Sequence, residues 1–190
     1  MKTAHVIKAF FIATITALTL RLFVVEDYRI TSDSMTPNLL KGDLVLVSKS
    51  AFNLRLPFSS FELVRTGKPA REDIVAFSVP GSGNETYIKR IVGVGGDRIE
   101  IKKGEVWLNG EIVKPTYSLN VTDAEVPDYG PIDIPEAHFF ALGDNRPDSI
   151  DSRVWGPIPY SCLKGRVSLV WLSINHQGQI RSERWLSSIQ

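Results

Sequence analysis

The sequence predicts a mostly β protein in which an N-terminal transmembrane helix precedes an antiparallel β-rich domain. Two observations carry that prediction. Residues 9–25 (AFFIATITALTLRLFVV) are apolar or weakly polar throughout except for Arg21. Beyond residue 30 no long helical period appears, and short apolar or alternating runs take over.

The N-terminal segment comes first. At about 1.5 Å per residue, roughly 20 helical residues cross a bilayer core of about 30 Å, so the run suffices if Lys8 and Arg21 reach toward the two interfaces. A cleaved secretory signal shares the basic start and apolar middle. Here, however, Glu26, Asp27, Tyr28, Arg29 and Ile30 follow with no small-x-small site, which favours an uncleaved anchor. The run is apolar on every side, unlike the striped helix of a soluble core. Lys2, Lys8 and the terminal amine precede it, while Glu26 and Asp27 follow it. The N-terminus is therefore expected to be cytoplasmic and the rest exported, with Arg21 pulling weakly the other way. The 190 residues sum to a formal charge of +1, and the first 25 hold three of the 22 bases and none of the 21 acids, which leaves residues 26–190 at −2. The expected organisation is a cytoplasmic tip and single anchor over residues 1–25 and an exported β domain over residues 26–190.

The β runs follow in order: residues 43–47 (DLVLV), 74–77 (IVAF), 87–94 (YIKRIVGV), 98–101 (RIEI), 105–108 (EVWL), 139–142 (FFAL) and 166–171 (RVSLVW). Gly, Pro, Asn and Asp separate them. Lys103-Gly104 and Asn109-Gly110 have the composition of two-residue hairpin turns. Residues 114–136, rich in Pro and acids, read as a surface excursion. The 43% hydrophobic content and balanced charge exclude a disordered chain. One cysteine, Cys162, excludes an intramolecular disulfide framework and a cysteine-rich zinc module. A net +1 offers no electrostatic case for nucleic acid.

Three clusters carry chemistry. In an extended TSDSMTP segment, Ser32 and Ser34 project to one side and Asp33 to the other, so one hydroxyl attacks and its neighbour donates to an oxyanion; an ordinary polar linker has the same composition. The serine needs a base. His5, His138 and His176 lie in segments that offer no local support for a triad. Lys89 fits better: in a strand it shares a face with Tyr87 and Ile91, with Arg90 opposite, and desolvation lowers a lysine pKa until the neutral amine accepts a serine proton. The third cluster, residues 143–153 (GDNRPDSIDSR), alternates carboxylates with guanidiniums. It suits an ion-pair and hydrogen-bond frame in which Ser149 orients the lysine amine. A metal site on Asp144, Asp148 and Asp151 competes, but the spacing is not that of an EF-hand and Arg146 and Arg153 contend for the carboxylates.

Together these boxes resemble the type I signal peptidase family, the membrane-bound Ser-Lys endopeptidases of bacteria and organelles. The resemblance runs in order through the apolar segment, SDSMTPNL at residues 32–39, GDLVLV at 42–47, REDIVAF at 71–77, YIKRIVG at 87–93 and the 143–153 cluster. It implies Ser34 as nucleophile and Lys89 as general base, with the Ser32 hydroxyl and Ser34 amide as oxyanion hole and Ser149 holding the Lys89 amine. It also implies Met35 and Tyr87 as pocket lining, and Asp144, Asn145, Arg146, Asp151 and Arg153 as a structural network. The implied fold is a β-rich catalytic core with a smaller β insertion, mapped here to about residues 96–136. No metal or organic cofactor is implied. The chain departs from the family pattern at Pro147, where an acid is usual.

The expected activity is removal of signal peptides from exported preproteins at the bacterial inner membrane, with the catalytic domain on the periplasmic side. Signal-peptide-bearing preproteins and the lipid bilayer are the expected partners, the export channel a further one, and nucleic acid none. Two alternatives stay open: a relative dedicated to one substrate such as a conjugative pilin, and an inactive membrane-anchored β scaffold of the export machinery. Phe52, Phe58 and Phe61 serve either lipid contact or core packing.

Overall fold

The computed structural model describes residues 2–55, 62–83, 85–121 and 126–189. In chain order they form α1 (Lys2–Phe23), β1 (Val25–Arg29), β2 (Asp43–Ser48), β3 (Asn53–Arg55), β4 (Glu62–Arg65), β5 (Ile74–Phe77), β6 (Tyr87–Val94) and β7 (Arg98–Lys102). There follow β8 (Glu105–Leu108), β9 (Glu111–Ile112), β10 (Tyr129–Asp133), β11 (His138–Leu142), α2 (Ser152–Trp155), β12 (Ile158–Pro159), β13 (Leu163–Ser173) and β14 (Ser187–Ser188). The main sheet runs β1-β2-β13-β5-β6-β11-β12 with β14 added on β13; a second sheet runs β10-β7-β8-β9, and β3 pairs with β4. Among the described residues every strand pairing is antiparallel.

All seven predicted runs are strands, and burial explains their sequence patterns. In β2, Val45 and Val47 are buried while Leu44 and Leu46 are half-buried, the alternation expected of a strand with one inner face. Strand β5 is buried along its whole length, which suits its unbroken apolar composition. Both predicted hairpins are present: Lys103-Gly104 joins β7 to β8 and Asn109-Gly110 joins β8 to β9, all four residues with positive φ as the primed turns require. Three buried clusters fill the interior. One, around Met35, Leu39, Val45, Ile74 and Val170, lies beneath the segment carrying Ser34. Another gathers Phe77, Ile91, Phe139 and Ile158. In the last, Ile99, Ile101 and Leu108 of the second sheet pack against Val92, Phe140 and Leu142 of the main one, so the two sheets share a core.

Helix α1 starts before the expected apolar run and stops short of Val25, which pairs with Ser48 in the main sheet. Among the described residues no helix is long and apolar enough to cross a membrane. The α1 residues Val6, Ile7, Phe10, Phe11, Ile12 and Ile15 are all exposed. Residues 114–136 are more than an excursion: they contribute β10, and Asn120 forms a bridge with Asn145 beside the third cluster. Phe52 packs in the core, whereas Phe58 and Phe61 lie outside the described residues.

Candidate active site

Ser34 and Lys89 come from sequence positions 55 residues apart, and the sheet brings them into contact: Lys89 Nζ donates to Ser34 Oγ at 2.5 Å. Ser34 sits in a turn just after β1, held by hydrogen bonds from Thr36 N to Asp33 O and from Leu39 N to Met35 O. Lys89 lies in the middle of β6, paired with Val75 of β5. Both residues are buried, at 7% and 5% exposure. Burial pushes the Lys89 amine down from 10.5 to about 8; Asp151 and Asp144 oppose the shift, Arg153 adds to it, and Asp148 opposes it again. The Ser32 and Ser34 hydroxyl oxygens are 3.1 Å apart. The segment is turned rather than extended there, yet the two hydroxyls still meet.

The third cluster forms a frame that grips the serine turn. Asn145 N donates to the Ser34 carbonyl at 3.0 Å, and Asn145 Nδ2 donates to the Asp33 carbonyl at 3.1 Å. Asp151 accepts from Gly143 N at 3.0 Å and pairs with Arg153 Nε at 2.8 Å. Arg153 also donates to the carbonyls of Arg146 and Ser149. Arg146 donates to the Gly143 carbonyl at 3.1 Å rather than to a carboxylate. Asp144 is taken instead by Arg90, through Nε at 2.9 Å and Nη2 at 2.8 Å, in an ion pair 1% exposed on both sides. The same guanidinium lies 3.7 Å over the Tyr117 ring. With Asp144 and Asp151 each held by a guanidinium, the cluster works as a brace. No group of three or more metal-type ligands occurs among the described residues.

Ser149 makes no hydrogen bond to Lys89; its hydroxyl is buried without a partner and lies against Gly143, whose missing side chain leaves it room. Met35 is 1% exposed and packs in the core under the turn. Tyr87 is half-buried, its ring 4.7 Å from that of Trp155 and its hydroxyl bound to Glu85. His138 bonds the Glu136 carbonyl at the start of β11.

Sequence reasoning missed Arg90, Asn38 and Gly143. Arg90 carried a readable signal, a charge on the strand face opposite Lys89 among apolar residues. Asn38, which donates to Asp144 at 2.8 Å and to the Ser118 carbonyl at 2.7 Å, carried none. A Cβ built on Gly143 would stand 2.5 Å from the Ser34 carbonyl oxygen and 2.2 Å from Ser149 Oγ. Glycine is therefore required where the cluster meets the serine turn.

Residues 3–172 match the signal peptidase family, peptidase S26. A signal peptidase I of Pseudomonas aeruginosa is 34% identical over an alignment covering 87% of this chain and 71% of the relative. A probable signal peptidase I-2 of Synechocystis is 33% identical, with 81% and 66% covered. A solved signal peptidase I from Enterococcus faecalis superposes with TM-score 0.46 at 32% identity, covering 52% of this chain and 96% of that one. The chain belongs to the signal peptidase S26 family. It is a hydrolase that cleaves signal peptides, and its substrates are preproteins that carry them.

Proposed function

We propose that Ser34 and Lys89 are the catalytic pair. The 2.5 Å contact between Lys89 Nζ and Ser34 Oγ in a buried site is the observation that carries this reading. With its pKa near 8, about a tenth of the amine is neutral at pH 7, and the neutral amine accepts the Ser34 proton across that same contact. Ser34 Oγ adds to the scissile carbonyl while Lys89 takes the proton. The tetrahedral intermediate collapses, the leaving amine takes that proton from Lys89, and an acyl-enzyme on Ser34 remains. Water then gives a proton to Lys89 and attacks the ester, and the proton returns to Ser34 as the product acid departs. The Ser34 amide and the Ser32 hydroxyl stabilise the oxyanion. The sequence calls on no cofactor. Cleavage of a preprotein by the purified full chain tests it. Ser34→Ala and Lys89→Ala are each expected to lose at least about a hundredfold in kcat while remaining folded. If either folded variant cleaves as fast as the parent, the assignment is wrong.

The same reading attaches the enzyme to lipid through α1. A helix that exposes Val6, Ile7, Phe10, Phe11, Ile12 and Ile15 needs an apolar cover, and its chain leads directly into β1 and on to the Ser34 turn. The acids Glu26 and Asp27 immediately after it, against Lys2 and Lys8 at its start, favour a catalytic domain on the extracytoplasmic side. There, residues 26–190 meet exported preproteins as they emerge.

A further inference from the structure

The C-terminal segment beyond β13 lies outside the residues that match the family, yet it is tied to the serine turn by charged hydrogen bonds. Arg184 Nη2 donates to the Asn38 carbonyl at 2.8 Å and to Asp43 Oδ2 at 2.6 Å, and Arg184 Nε reaches Asp43 Oδ1 at 3.3 Å. Asp43 is completely buried. It also accepts from Ser173 Oγ at 2.6 Å and, at the end of the serine turn, from Leu40 N at 2.9 Å. Arg181 reinforces this end by donating to the Lys41 carbonyl at 2.7 Å and to Ser173 Oγ at 2.8 Å. The segment is itself held down by the pairing of β14 with β13 and by Ser187 Oγ on the Arg184 carbonyl.

Asn38 is where this strap meets the catalytic pair. Its carbonyl is held by Arg184, and its amide holds Asp144, which forms the buried pair with Arg90, the neighbour of Lys89 in β6. Backward along the chain, the turn bonded from Leu39 N to Met35 O leads to Ser34. One guanidinium thus reaches both halves of the site. We propose that Arg184 is a positioning residue for the catalytic pair: through Asn38 and Asp43 it keeps the Ser34 turn seated against Lys89. The inference rests on the Ser34 and Lys89 reading. The Lys89 amine itself faces the charged groups Asp151, Asp144, Arg153 and Asp148, and Arg184 touches it only through this chain of bonds.

The test is peptide cleavage by the full chain across pH, with active sites counted by a serine-reactive covalent label. The parent and Ser34→Ala come first: a parent that does not cleave, or a Ser34→Ala variant that cleaves as well, overturns the catalytic reading itself. Given a Ser34-dependent parent, Arg184→Ala is expected to lower kcat per labelled site by about tenfold to a hundredfold, the range for one charge-assisted hydrogen bond. KM should stay near the parent value, and the rise in kcat/KM that accompanies Lys89 deprotonation should move to higher pH as the loosened turn admits water. Loss of folded molecules alone would reduce labelled sites without moving that limb. Arg184→Lys keeps a charge opposite Asp43 but not the fork that also reaches Asn38, so it is expected to fold with a smaller shift of the same sign; it decides the matter if the alanine variant does not fold. A folded variant with the parent's kcat per site and the parent's pH limb overturns the proposal.

Discussion

Lys89 shows how much a single position depends on its surroundings. Burial lowers its amine from 10.5 to about 8, so between those values the unfolded chain binds more protons than the folded one and stability rises with pH. The penalty for the buried charge is complete below about pH 8 and relieved above about 10.5. Replacing Lys89 by methionine removes it. In urea unfolding, the stability of Lys89→Met relative to the parent is therefore expected to fall by roughly 3 kcal/mol between pH 7.5 and 10.5. A difference that stays constant across that range would mean the amine is not held down by the fold. The position was legible in the sequence because alternation in YIKRIVGV put Lys89 and Arg90 on opposite faces. Their partners were not: Asp144 had been matched with arginines in its own segment, and the structure pairs it with Arg90 from another strand.

At the scale of elements, β6 and the segment following β11 act as one unit because a buried ion pair joins them. Leu142 at the end of β11 is registered with Arg90, which delivers Asp144 to its guanidinium. Asp144→Ala removes the buried carboxylate that balances the Arg90 charge, and is expected to cost about 3–5 kcal/mol. The exposed pair of Arg98 and Asp133 between β7 and β10 is the internal control, and Asp133→Ala should stay within about 1 kcal/mol. Urea midpoints for the two variants measure the contrast, and equal losses would contradict it. Seven of the fourteen described strands were readable from local pattern, and period-two apolarity and paired turn residues suffice for β2, β7 and β8. Strands β1, β10 and β14 were not, because their residues are half-exposed and their backbones are ordered by the strands beside them.

The whole molecule joins a cored β domain to a helix on which Val6, Ile7, Phe10, Phe11, Ile12 and Ile15 are exposed. That imbalance belongs to no single element. It predicts that the full chain sediments with liposomes and resists carbonate extraction, whereas Phe10→Glu together with Phe11→Glu weakens association at least about tenfold and leaves soluble-peptide cleavage intact. A charged variant that binds liposomes as well as the parent would remove α1 from the anchoring role. The second sheet packs its Ile99, Ile101 and Leu108 against Val92, Phe140 and Leu142 of the main sheet, so one core spans both.

The sequence by itself determined the β character, seven strands, two hairpin turns and the choice of Ser34 and Lys89, which meet in the structure, because periodicity, turn chemistry and residue type act over a few neighbouring positions. It did not determine which carboxylate meets which guanidinium, the orphaned Ser149 hydroxyl, the burial of Met35, or the hold of Arg184 on Asn38. Those were decided by the tertiary structure. A buried charge or hydroxyl takes its partner from whatever segment the packed sheets bring within about 3 Å, and the sequence separation of the two does not enter.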